Sequence, residues 1–136
     1  MPALGILLLT PTAQNAVRLA ATGVERLAGG ERLGTGWPAR SLVHVIGYPD
    51  RAQRPVVCTS STRPFGRHQM RFDCAGYTGG TSGGPFLARP VSATGLGTVI
   101  GVIGGHEQGG NLASVSYSPR FGRAMRDLYR TAVADG

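Results

Sequence analysis

Between residues 41 and 117 the apolar side chains fall into runs of a few residues, each cut off by glycine, proline or aspartate. Runs this short, rich in Val, Ile and Phe and fenced by turn formers, read as buried strands and not as helices. The first, Leu42-Val43-His44-Val45-Ile46, stops at Gly47-Tyr48-Pro49-Asp50, where Pro and Asp occupy favoured turn places. Further strands are expected at 55–61, 69–74, 85–88, 97–103 and 113–117. Six short strands on a chain of 136 residues, with 22 Gly and 9 Pro as turn material, describe a mainly β domain, a small barrel or sandwich. With 41% hydrophobic and only 15% charged residues, the composition is that of one globular unit and not of a disordered chain.

The two ends differ from this pattern. Leu4-Gly5-Ile6-Leu7-Leu8-Leu9, ended by Pro11, is too brief for a confident helix and suits a buried strand over 1–10. A signal-peptide core is the competing reading, although no Lys or Arg precedes it. Residues 11–40 carry Gly29-Gly30, Gly34, Gly36 and Pro38 among Arg and Glu, the composition of a linker crossing a surface, with room for a helical turn or two at 14–27. The third segment, 41–136, holds the strands and a terminal helix. Ser118 is placed to cap that helix, with Pro119 at its first position and Phe121, Met125, Leu128 and Ala132 on one face. About four turns are expected, with Asp127 between Arg123 and Arg130 on the opposite face for charge pairing.

All 14 basic residues are Arg, and the net charge is +7. Such a charge attracts anions in general, but these arginines are scattered along the chain without the aromatic interleaving of a single-strand groove, so no nucleic-acid partner is expected. No apolar run approaches the roughly 18 residues that cross a bilayer, so no membrane partner is expected either. Cys58 and Cys74 flank a turn-like Arg63-Pro64-Phe65-Gly66. A cross-hairpin disulfide closing a loop of about 15 residues would contribute about 3 kcal/mol and place the chain in an oxidising, secreted or extracytoplasmic setting. Two free buried thiols are the alternative. A lone cysteine pair does not make a zinc site, and no cofactor is indicated.

The chemistry concentrates in Gly79-Gly80-Thr81-Ser82-Gly83-Gly84-Pro85. A nucleophilic serine needs backbone that lets substrate approach, and donors aimed at the oxygen that turns negative in the tetrahedral intermediate. Glycines on both sides of Ser82 give that room, and the amides of Gly80 and Ser82, two residues apart, are placed to converge on one oxyanion. A flexible turn or a phosphate cradle would use a similar run. Against the cradle, no Lys-Ser/Thr pair and no helix pattern follow, and Pro85-Phe86-Leu87 begins a strand.

Gly80-Thr81-Ser82-Gly83-Gly84-Pro85 resembles the nucleophile motif of the chymotrypsin/trypsin-like serine peptidases, two-barrel enzymes whose triad comes in the order His, Asp, Ser. Val45-Ile46-Gly47-Tyr48-Pro49 resembles the opening strand of the second barrel in the bacterial glutamyl-endopeptidase-like branch. Val99-Ile100-Gly101-Val102-Ile103-Gly104-Gly105 resembles the strand along which peptide substrate lies. The resemblance covers about residues 41–134 and implies the second six-stranded barrel with its C-terminal helix. It implies serine endopeptidase activity on peptide or protein substrates, with an oxyanion hole at Gly80 and Ser82 and substrate contacts at Gly76, Tyr77, Ile103, Gly104 and Gly105. Gly76 stands where trypsin-like enzymes carry the carboxylate that selects Lys or Arg, so that preference is not expected. Ile103 stands where the glutamyl-selective branch has a His. Thr81 replaces the Asp that many animal relatives pair with a freed N-terminus, so activation by that ion pair is not expected.

A serine hydroxyl needs a base, normally an oriented His. Of the three histidines, His44 lies in the opening strand, His68 in the Arg-rich hairpin and His106 after the substrate strand, within conceivable reach of the pocket mouth. The family takes both His and Asp from the first barrel. The run at 4–9 resembles the strand just past the triad Asp, so the first barrel is expected to be largely missing from this chain and its sequence to lie upstream of Met1. Either a longer gene supplies it, or the chain is an inactive, peptide-binding remnant.

Overall fold

The computed structural model describes residues 29–90 and 92–135. The expected strand at 4–9 and the helical turns at 14–27 lie outside these residues. Eight strands and one α-helix follow in the order β1 (Arg32–Leu33), β2 (Leu42–Gly47), β3 (Val56–Ser61), β4 (Arg63–Phe65), β5 (Gln69–Asp73), β6 (Pro85–Ala88), β7 (Thr98–Val102), a 3-10 turn (His106–Gly109), β8 (Val115–Pro119) and α1 (Arg123–Ala134).

One sheet runs β1-β7-β6-β2-β3 and the other β4-β5-β8. They meet along two seams. At the first, β3 and β4 are one strand bent at Thr62, which is fully buried. Its amide donates to Ser41 O at 2.8 Å and its hydroxyl to Ala39 O at 2.7 Å, so the corner keeps its backbone partners while changing sheets. At the second, the Val102 amide donates to Ser118 Oγ at 2.9 Å and the Gly104 amide to Tyr117 O at 2.9 Å. A barrel closed this way leaves few exposed edges.

Alternation fills the interior. In β2, Val43 and Val45 are fully buried while Leu42 is exposed. Phe72 of β5 packs on Phe86 of β6 with ring centres 5.6 Å apart and meets the Tyr77 ring edge-on at 5.8 Å. β6 is buried on both faces: Phe86 and Ala88 face the barrel, whereas Leu87 joins Val99 and Phe121 in a second cluster against which Met125 of α1 packs. Cys58 of β3 and Cys74, just past β5, form the expected disulfide, with Cα atoms 6.5 Å apart.

Three expectations are corrected. Ser118 and Pro119 end β8 and do not start the helix, whose N-cap is Gly122 without a side-chain cap. The Ser118 hydroxyl is committed to the barrel seam, which is why it is unavailable for capping. The helix therefore has 12 residues, about three turns. Of its expected apolar face, Phe121 and Met125 pack against the sheet, but Leu128 is 63% exposed, and no ion pair joins Asp127 to Arg123 or Arg130 among the described residues. Apart from these, Arg32–Leu33, inside the segment read as a linker, pairs in parallel with Thr98–Val99 of β7.

Candidate active site

Ser82 sits at the apex of a turn that is pinned on both sides. Upstream, the Thr81 hydroxyl donates to Thr78 O at 2.8 Å and the Asp50 amide to Gly79 O at 2.8 Å. Downstream, the Gly83 amide donates to Ile103 O at 2.8 Å and the Ile103 amide to Gly84 O at 2.9 Å, which hands the chain directly into β6 beside β7. Thr81, 4% exposed, is thus held by a local hydrogen bond where an ion pair was not expected.

The glycines here answer to geometry. Gly80 has φ +94°, and a Cβ on it would lie 2.6 Å from the Asp50 amide nitrogen. A Cβ on Gly84 would run into Ile46 O. Ser82 itself is exposed, and its hydroxyl makes no hydrogen bond among the described residues; nor do the amides of Gly80 and Ser82. A free hydroxyl flanked by two free amides is an arrangement able to receive a carbonyl carbon and its oxygen.

Beside it lies a cleft of about 290 Å³, lined by Tyr77, Thr78, Gly79, Thr81 and Ser82 on one side, Ile103 from the end of β7, the loop Gln108 to Ala113 opposite, and Ser116 of β8. Tyr77 and Ile103 both line this cleft. Tyr77 is 6% exposed, and its hydroxyl donates to Val45 O at 2.7 Å; burial pushes that hydroxyl up to about 12. Gly76, with φ +97°, faces Val56 and lies outside the lining. Gly104 and Gly105 continue from Ile103 but also lie outside it, the Gly104 amide being taken by Tyr117 O.

No histidine enters the cleft. His44 Nδ1 lies 3.0 Å from Thr59 Oγ1 on the neighbouring strand, and His68 is exposed in the β4–β5 turn. The His106 ring is packed between Phe65 and Tyr117, 4.7 Å from each ring centre, which takes it away from the pocket mouth. The loop residues Gln108, Asn111 and Leu112 and the buried Ser116 were not identified from sequence. The one signal for the loop was the Gly109-Gly110 pair, which turns the chain with φ of 103° and 125°.

Among solved structures, the chain is similar to a thermostable serine protease, AL20, from an extremophilic microorganism, with TM-score 0.61 and 22% identity over 79% of this chain and 50% of that one. It is also similar to the protease Anisep from Arthrobacter nicotinovorans, with TM-score 0.64 and 20% identity over 82% of this chain and 52% of that one. No family model matches the chain, and no curated protein does. The chain spans about half the length of these two proteases and has the fold of a chymotrypsin-like barrel with a C-terminal helix.

Proposed function

We propose that the chain carries the nucleophile half of a serine endopeptidase of the trypsin-like class, with Ser82 attacking the peptide carbonyl to form an acyl-enzyme. The observation that carries this is the exposed Ser82 hydroxyl on a pinned turn, which, like the amides of Gly80 and Ser82 beside it, has no hydrogen-bond partner among the described residues. Those amides would hold the oxyanion, and the strand leading from Ile103 to Gly105 would align the substrate backbone. The general base and its orienting carboxylate come, on this reading, from a first barrel outside these 136 residues. Without them the chain alone retains little of the rate, because triad members act as a unit. The disulfide supports an extracytoplasmic setting. The Val45–Pro49 segment resembles the glutamyl-endopeptidase branch, yet no cation lines the cleft, so acidic specificity is not part of the proposal.

A second reading, a non-catalytic peptide-binding module, is favoured by one fact: His44, His68 and His106 all lie outside the Ser82 cleft. A serine-directed fluorophosphonate separates the two. Labelling that disappears in Ser82→Ala supports the nucleophile; an unlabelled wild-type chain, tested together with any upstream sequence its gene encodes, supports the module.

A further inference from the structure

The hydroxyls of the Ser82 cleft are not equally satisfied. Tyr77 Oη donates to Val45 O and Thr81 Oγ1 to Thr78 O. Ser116 is 1% exposed and lines the same cleft, yet its hydroxyl makes no hydrogen bond among the described residues. Its direction follows from register. Ser116 pairs with Phe72 across β5 and β8, paired residues share a face, and Phe72 belongs to the barrel core. Ser118, two residues on and on the same face, does find a partner in the Val102 amide. The hydroxyl is not sealed off, since Arg126 Nε is the only buried side-chain polar atom without a partner among the described residues; a ligand that displaces water from it must therefore supply a hydrogen-bond partner in return.

The rest of the lining narrows the ligand. No lining side chain is charged, so a cationic or anionic group would lose its hydration without a counter-charge. A purely apolar group would leave Ser116 unpaired. Ile103 and Leu112 offer apolar wall for methylenes, while Gln108 and Asn111 present carboxamides. Gln108 follows Glu107 in a left-handed backbone, φ 57° after φ 50°, a conformation that non-glycine residues seldom adopt and that is enriched at ligand-binding loops.

We infer that this cleft selects a glutamine side chain, its methylenes against Ile103 and Leu112 and its carboxamide exchanging hydrogen bonds with Ser116, Gln108 and Asn111. A carboxamide brings both donors and acceptors, as this lining requires. The inference rests on the reading of Ser82 as nucleophile, which makes the bound residue the one preceding the scissile bond.

The test is titration of the full 136-residue chain with acetyl-Ala-Ala-Gln-amide and its Leu, Glu and Arg counterparts, followed by NMR through the amides of Gly109, Gly110 and Ser116. The glutamine peptide is expected to bind about tenfold more tightly than the others, with the preference lost in Ser116→Ala. Gln108→Gly, which removes a carboxamide at a backbone position glycine accepts, is expected to reduce it as well. Equal or tighter binding of the Leu or Glu peptide, or a preference unchanged in both variants, overturns the inference. Binding and fluorophosphonate labelling are read separately. A labelled chain without glutamine preference defeats the pocket assignment alone, and a glutamine preference in a chain that stays unlabelled even together with any upstream sequence its gene encodes defeats the nucleophile alone.

Discussion

The Tyr77 hydroxyl donates to the carbonyl oxygen of Val45 across 2.7 Å, tying the loop that carries Ser82 to the middle of β2 through the barrel interior. Tyr77→Phe removes this tie and is expected to cost about 1–3 kcal/mol, the range for a buried acceptor left unpaired. The effect depends on pH. Burial holds this hydroxyl up to about 12, against about 10 in an unfolded chain. Its contribution is therefore complete below pH 10 and falls by about 3 kcal/mol as the pH rises to 12, because the unfolded chain releases the proton first. Urea unfolding should show a constant gap between wild type and Tyr77→Phe up to pH 10 that closes above it. A gap that widens there contradicts the assignment.

Gly80 and Gly83 flank the nucleophile with positive φ of 94° and 81°, but only Gly80 is crowded. Gly83→Ala meets no atom within 4 Å and should cost about 1–2 kcal/mol for the left-handed backbone alone. Gly80→Ala adds a collision with the Asp50 backbone and should cost at least about 2 kcal/mol more. Thermal melts of the two variants check the order; equal melting temperatures would show that the Asp50 turn yields freely.

The Cys58–Cys74 bridge joins β3 to the end of β5 across a sequence separation of 16. Replacing both cysteines by alanine is expected to lower stability by about 3 kcal/mol, and a reducing agent should have the same effect on wild type and none on the double variant. Urea midpoints with and without dithiothreitol measure both.

The six expected strands all form, because alternation such as Val43/Val45 and turn chemistry such as Gly47 to Asp50 are local signals that tertiary packing reinforces. The glycines of the Ser82 loop were legible as a local signal too, Gly80 and Gly84 being demanded by close backbone approach and Gly83 by its positive φ. What the sequence hid depends on contacts made across the barrel. Ser116 is an ordinary strand serine until Phe72 fixes which way it faces, and Gln108 enters the cleft only through a left-handed turn that non-glycine residues rarely mark. β1 is two residues long and exists because Glu31 and Arg32 engage Gly97, far along the chain. Ser118 misled by being locally right: Ser-Pro is a sound helix start, and the barrel seam overrode it.

That override yields a further prediction. Ser118 is fully buried, accepts from the Val102 amide at 2.9 Å and donates to Pro119 O at 2.8 Å. Were it a helix cap, Ser118→Ala would cost about 1 kcal/mol and fray α1. As a seam residue it leaves the half-buried Val102 amide, two residues before Gly104 and one before Ile103, without its acceptor. The expected cost is then about 1–3 kcal/mol, with helix content unchanged and hydrogen exchange accelerated at Val102 and Gly104, where β7 meets β8. Exchange confined to the first turn of α1, with Val102 still protected, would return Ser118 to the capping role.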